Sequence, residues 1–373
     1  MENRFLKVFK VHFSLLLVFF LFPVTHAAAQ EDPFSSFSDP SRIWGNGIEK
    51  VIEEAFRLCF KTRILGGRVM NLRMPFAQNN ERDKLSDTGW VFLEGGKGSP
   101  ETLWPAIETI IDSADFKTYI DAVSDGKEKV LIFDIPTQTW TSSRELFELA
   151  RMKAGAYRGL PHRPYVYVQG KGVEETDVYN YLYCIGLAGM DCSAFVWHTL
   201  SYIAKSGGLD LGRSLRGTLG VRPGDSPARY AGTGFFDSRS REIITVKDEI
   251  RNLKPADIIL FRGPDGDAAH SAIIQSVDFR RGLIRYLQCT DEAPLAERGV
   301  HESFVYFDPA SPGMSLADSS LRWSQKRYPP FPGEKASPFS EDGERYRAFP
   351  EYGGGKVVRL RQLQPIIEKI NTR

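Results

Sequence analysis

The string Gly189-Met190-Asp191-Cys192-Ser193-Ala194-Phe195-Val196-Trp197 constrains this chain more than any other stretch, because it sets a cysteine at the start of an apolar-striped helix. Beyond Cys192, the residues Phe195, Val196, Leu200 and Ile203 recur at helical spacing, and Ser206-Gly207-Gly208 ends the run. Cys192 therefore falls in the first helical turn, where the aligned peptide dipoles favour an anion. A thiol must lose its proton before it can attack a carbonyl. A helix N-terminus beside a histidine lowers a cysteine pKa from about 8.5 to roughly 3.5–7.5.

A histidine follows in a suitable context. Leu253-Lys254-Pro255-Ala256-Asp257 leads into the apolar run Ile258 to Phe261, then into a turn-rich Arg262 to Asp267, and Ala268 to Val277 reads as the returning strand. His270 lies near the start of that strand and shares a face with Ala272 and Ile274, because strand side chains alternate. On the next strand Gln288 and Cys289 point to opposite faces, so only one of them can orient the imidazole. A side-chain amide oxygen accepts a ring N–H well and a thiol does so poorly, which selects Gln288.

The other histidines and cysteines read as structural. His198 is six residues along the helix from Cys192 and faces elsewhere, His162 lies in a loop before Pro164, and His301 lies in a stretch without regular pattern. Cys59, Cys184 and Cys289 match no disulfide framework or zinc-ligand spacing. Asp191 reads as the helix cap and Asp257 as the residue that holds the turn before its strand.

These residues resemble the NlpC-type bacterial cell-wall cysteine peptidases. The signature Gly-x-Asp-Cys-Ser-Gly-Phe-Val, then Gly-Asp opening a strand, then a strand-initial His, is matched by Gly189 to Val196, by Ala256-Asp257 and by His270. The resemblance covers roughly residues 143 to 290, with a last strand near Lys356 to Arg361. It implies an α+β, papain-like fold, with the nucleophile helix packed on an antiparallel sheet. The catalytic set it implies is Cys192, His270 and Gln288, with Tyr165, Asp191 and Ser193 as substrate-binding candidates, and it calls for no metal or organic cofactor. Pro164-Tyr165 corresponds to an upstream Pro-Tyr element. The expected substrates are peptidoglycan stem peptides. Ala194 in place of the usual Gly, the long spacing from Tyr165 to Cys192 and a long segment before the last strand depart from the pattern. Other hydrolases on the same fold, and a non-catalytic surface module, stay open as alternatives.

The rest of the chain supplies a frame. Arg4, Lys7 and Lys10, the apolar stretch Phe13 to Val24 and Ala27-Ala28-Ala29 follow the order of a secretory signal peptide covering residues 1–29, and the apolar stretch is too short for a membrane span. The mature chain is thus expected in the periplasm, at the cell surface or secreted. Its removal takes away Arg4, Lys7, Lys10 and Glu2, so the formal charge moves from +1 by 3 − 1 = 2 to about −1, which gives no electrostatic reason for nucleic acid or anionic membrane as a partner. Residues 30–141 read as an unassigned mixed α/β accessory region. Its expected elements are a helix near Ile48 to Phe60, strands around Arg68 to Met74, Trp90 to Leu93 and Val130 to Ile135, and a helical run from Pro105 to Ile111. Ser142-Ser143-Arg144-Glu145 reads as a capping box that opens the peptidase domain, residues 142–373. Within it, residues 293–352 read as a long irregular insertion. Its aromatics, including Trp323, Phe331, Phe339 and Tyr346, argue against full disorder and leave a choice between a wall over the cleft and an irregular coat.

Overall fold

A computed structural model of the chain describes residues 46–77, 98–134, 139–142, 165–185, 189–290, 298–325, 349 and 354–372. The helices are α1 (Ile48–Arg57), α2 (Pro100–Ile111), α3 (Ala114–Val123), α4 (Glu175–Ile185), α5 (Cys192–Ser206), α6 (Leu211–Leu215), α7 (Thr233–Phe236) and α8 (Gln364–Asn371). The strands are β1 (Phe60–Leu65), β2 (Arg68–Arg73), β3 (Glu128–Asp134), β4 (Thr139–Ser142), β5 (Tyr165–Gln169), β6 (Ile243–Val246), β7 (Ile258–Arg262), β8 (Ala268–Asp278), β9 (Leu283–Thr290), β10 (Gly299–Tyr306), β11 (Arg322–Ser324) and β12 (Lys356–Leu360). The architecture is α+β. A seven-stranded sheet in the order β11-β10-β9-β8-β7-β12-β6 is antiparallel throughout, and a three-stranded sheet β4-β3-β5 and the hairpin β1-β2 stand beside it.

Both faces of the large sheet are covered, which explains why β7 and β9 are buried along nearly their whole length. On one face α1 and α5 lie against Ile258, Leu260, Ile273, Leu287 and Cys289, in a cluster that also takes in Ile52, Phe56, Trp104, Phe195 and Leu200. Each such Ile, Leu or Phe contributes roughly 1.5–3 kcal/mol by leaving water. The other face carries Ile259, Phe261, Ala272, Ile274, Ile284 and Tyr286 and is packed by Leu316, Leu321, Trp323 and Phe349. The Trp323 and Phe349 rings stack there, with centroids 5.8 Å apart.

The start of β7 uses an unusual backbone. Ala256 sits at φ 72°, the left-handed region, while its N–H reaches the Ile274 carbonyl at 2.8 Å. Asp257 then accepts from the Lys254 N–H at 2.8 Å and holds Arg359 of β12 through two contacts of 2.6 and 2.7 Å. The residue expected to brace this turn thus also ties the last strand to the sheet.

Three relations bear on the expected organisation. Described residues of the 30–141 stretch share a core with the large sheet: Glu53 of α1 reaches the buried Arg285 of β9 at 2.6 Å, Gln275 of β8 donates to the Glu49 carbonyl at 3.1 Å, and one apolar cluster runs from Ile48 to Leu363. A boundary at 141/142 falls inside β4, so Ser142 ends a strand, and the helix expected after it lies outside the described residues. Residues 293–352 are not irregular throughout, since β10 pairs along its whole length with β9 and β11 pairs with β10. β10 escapes an alternation reading because both of its faces are covered and its buried positions include His301 and Ser303.

Within the first region, α1, β2, α2 and β3 lie close to the expected positions, while the stretch Trp90 to Leu93 falls outside the described residues. β1 and α3 were not anticipated. Gly66 and Gly67, at φ 55° and 75°, form the two-residue turn of the β1-β2 hairpin, a conformation that a Gly-Gly pair between apolar runs signals. Ser113 caps α3 by accepting from the Phe116 N–H at 3.1 Å.

Candidate active site

The segment leading into α5 is pinned before the helix begins. Met190 donates its N–H to the Pro75 carbonyl at 2.9 Å, and its own carbonyl accepts from the Ala77 N–H at 3.0 Å and from the Cys289 thiol at 3.2 Å. Gly189 is required by this close approach, since a Cβ there would stand 2.6 Å from the Pro75 oxygen. Asp191 is the N-cap, and its Oδ1 accepts from the Ala194 N–H at 2.7 Å and from the Ser193 hydroxyl at 2.8 Å. Cys192 is then the first helical residue, partly exposed, with its thiol free of any disulfide.

His270 lies on β8 opposite Phe261, with the two rings 5.5 Å apart, and is 1% exposed. Its Nε2 is 2.7 Å from Gln288 Oε1 on β9. The Gln288 amide nitrogen is 2.7 Å from the Ser303 hydroxyl oxygen and 3.3 Å from His301 Nε2, and His301 Nδ1 is 3.0 Å from the Gly299 carbonyl.

These contacts link donor and acceptor roles along the chain of side chains. The Gly299 carbonyl only accepts, so a neutral His301 carries its proton on Nδ1 and offers a lone pair at Nε2. That lone pair takes an N–H of Gln288, whose second N–H meets the Ser303 oxygen. The amide oxygen faces His270, whose Nε2 donates to it. With the amide reversed, lone pairs would face each other at the Gly299–His301 contact or at the His301–Gln288 contact.

The structure thus brings His270 and Gln288 together directly. It also brings the Cys192 end of α5 to the end of β9 that carries Gln288, since Cys289, the next residue, holds Met190. Alternation splits the two neighbours, with Cys289 on the face that meets α5 and Gln288 on the His270 face with Phe261 and Tyr286. Asp191 caps the helix as expected, with Ser193 donating to its Oδ1, and Ser193 is 3% exposed. Tyr165 opens β5 opposite Ile132, while its side chain lies outside the described residues, as does His162.

Among the remaining candidates, His198 holds the Ala55 carbonyl at 3.1 Å, and burial pushes its pKa down, which suits a neutral structural imidazole. Burial likewise pushes the Cys59 thiol well above its ordinary range, so that thiol is inert. His301 and Ser303 are the functional candidates that sequence reasoning missed. Their signal is only visible once β10 is paired with β9, where His301 faces Gln288 in register.

Among the described residues no group of three His, Cys, Asp or Glu side chains is placed to hold a metal ion, and no helix is long and apolar enough to cross a membrane. No family model, no curated protein and no solved structure matches the chain.

Proposed function

We propose that the chain is an exported cysteine endopeptidase of papain-like, NlpC type that hydrolyses amide bonds in peptidoglycan stem peptides. The observation that carries this reading is the His270–Gln288 contact of 2.7 Å, at the end of the sheet where α5 begins with a cysteine. The reading adds a contact between Cys192 Sγ and His270 Nδ1 around that strand end.

In this mechanism the Cys192 proton passes to His270 Nδ1, and the thiolate attacks the scissile carbonyl carbon. The negative charge that develops on the carbonyl oxygen meets the N–H groups at the start of α5, with Tyr165 as a further donor from β5. His270 next gives its proton to the leaving nitrogen as the C–N bond breaks, leaving a thioester. Water loses a proton to the same nitrogen as its oxygen attacks the thioester carbon, and the C–S bond then breaks as His270 returns that proton to the sulfur, restoring the thiol. Gln288 holds the ring orientation at every stage.

The same site would serve another amide or thioester hydrolase. A different reading is favoured by one observation: His270 is 1% exposed and lies on the face away from the body of α5. On that reading the His-Gln-His chain is a structural polar network, and the molecule binds wall peptide without turnover.

Incubating purified peptidoglycan with the protein and with its Cys192→Ala variant, followed by mass spectrometry of the soluble products, separates these readings. Shortened stem peptides released only by the unaltered protein support the endopeptidase and name the bond. Equal or no release from the two proteins, with an unreactive Cys192 thiol, overturns it.

A further inference from the structure

We propose that Arg262 and Lys356 form a carboxylate-binding subsite that takes an acidic group of the substrate about four residues from the scissile amide. The subsite rests on reading the chain as a peptidase, and it specifies what the substrate carries. Its centre is Asp237, the residue after α7, which both cations share.

Arg262 Nη1 reaches Asp237 Oδ2 at 3.0 Å and its Nη2 reaches Oδ1 at 3.3 Å. Lys356 Nζ reaches the same Oδ1 at 3.2 Å and the Asp237 carbonyl at 3.2 Å. Two cations thus meet at one carboxylate oxygen. Burial pushes the Asp237 carboxyl up, and its hydrogen bonds to Arg262 and Lys356 outweigh that and bring it below its ordinary value, so it is ionised at neutral pH. Two positive charges and one negative leave 2 − 1 = +1 on the cluster. Among the described residues, Asp265 and Asp267 on the neighbouring turn make no ion pair with either cation, so they do not cancel that charge.

Donor capacity is left over on both cations. Arg262 Nε donates to the Gly354 carbonyl at 3.1 Å, Nη1 to Asp237 and to the Gly266 carbonyl at 2.9 Å, and Nη2 to Asp237, which leaves one Nη2 hydrogen of the guanidinium unused. Lys356 likewise uses two of its three ammonium hydrogens. Because both groups converge on Asp237 Oδ1, the two remaining donors lie close together, as the paired oxygens of a carboxylate require. Gly354 and Gly266, at φ 84° and 81°, turn their carbonyls onto Arg262 and hold the guanidinium in place before a ligand arrives. The Arg262, Asp237 and Lys356 side chains are 22%, 23% and 21% exposed, which keeps them reachable from solvent.

The register places this cluster at the working end of the sheet. Lys356 pairs with Leu260 of β7, and Leu260 lies on the face packed by α1 and α5. Arg262 is two residues further along β7, and Phe261 between them lies opposite His270. α5 starts beside β9, where Cys289 holds Met190, and β9 is three strand spacings from β12 in the order β9-β8-β7-β12. Three spacings are roughly 14 Å, the length of about four residues of extended peptide.

The test compares two probes on the full-length Cys192→Ala protein by calorimetry: soluble stem peptides freed from peptidoglycan, and the same peptides with their carboxyl groups converted to amides. The native peptides are expected to bind roughly tenfold or more tightly than the amidated ones. Adding Lys356→Met, which keeps the aliphatic stem, is expected to weaken the native peptides alone and remove most of that difference, while Lys356→Arg retains it. Equal affinity for the two probes, binding of neither, or equal weakening of both by Lys356→Met overturns the proposal. If Lys356→Met does not fold, the comparison of the two probes on the Cys192→Ala protein decides it. Cleavage of the same peptides by the unaltered protein is followed in parallel. Selective binding without any cleavage upholds the subsite and overturns the endopeptidase, whereas cleavage of both probes with equal KM upholds the endopeptidase and overturns the subsite.

Discussion

The Met190 carbonyl accepts the Cys289 thiol at 3.2 Å, which anchors the entry to α5 on β9, one residue beyond Gln288. The anchor depends on Gly189, whose missing Cβ lets residues 75–77 approach. Gly189→Ala is therefore expected to cost about 1–3 kcal/mol by overpacking against the Pro75 oxygen, and to slow Cys192 alkylation by displacing the helix start. Chemical denaturation with thiol kinetics checks both, and a variant equal to the unaltered protein in both would show that this approach is loose.

Ala256 occupies a left-handed conformation at φ 72° that costs an L-residue about 1–2 kcal/mol, part of which glycine gives back in unfolded-state entropy. Ala256→Gly should accordingly raise stability by about 0.5–1 kcal/mol. A rise in Tm of a few degrees is the expected result, and a fall would show that the Ala256 methyl packs well enough to outweigh the backbone strain.

Asp257 is fully buried and held by Arg359 in a two-pronged pair. Removing one partner of such a pair leaves a charge without compensation, so Asp257→Asn should cost about 3–5 kcal/mol. Denaturant unfolding measures this directly. Since the pair joins β12 to the start of β7, hydrogen exchange should rise first in Lys356–Leu360.

Asp177, at the start of α4, has its carboxyl pushed up to about 6, chiefly by burial, against the lowering effect of the Glu174 N–H that it accepts at 2.8 Å. Its folded value exceeds its unfolded value of about 3.9, so the folded state holds the proton more tightly. Ionisation above pH 6 costs stability, and that cost is relieved as pH falls from about 6 to about 4. Asp177→Asn keeps an oxygen for Glu174 and is expected to stabilise at pH 7.5 by at most about 3 kcal/mol, with little effect at pH 4. Thermal unfolding at the two pH values checks the sign, and a variant less stable than the unaltered protein at pH 7.5 would contradict it.

Local pattern carried the parts of the site that were legible in the sequence. The cap at Asp191, the helix from Cys192 to Ser206 and the shared face of His270 and Gln288 each follow from a few adjacent residues and a period of 3.6 or 2. What stayed hidden is set by partners distant in the chain. His301 looks isolated until β10 pairs with β9, and α1 looks like part of another domain until Glu53 meets Arg285 at 2.6 Å. A capping-box pattern at Ser142 to Glu145 outweighed the β-branched and aromatic character of Thr139 to Thr141, so the strand β4 was cut at its end.

The most direct test of the central claim is the pH dependence of Cys192 alkylation in the unaltered protein and in His270→Ala, with the modified residue located by peptide mass spectrometry so that Cys59, Cys184 and Cys289 do not contribute. A thiol paired with His270 at a helix start should react well below pH 8, and the variant should move that reactivity toward the ordinary thiol value of about 8.5. A Cys192 that reacts only above pH 8 in both proteins, with the same profile, would contradict the pairing of Cys192 with His270.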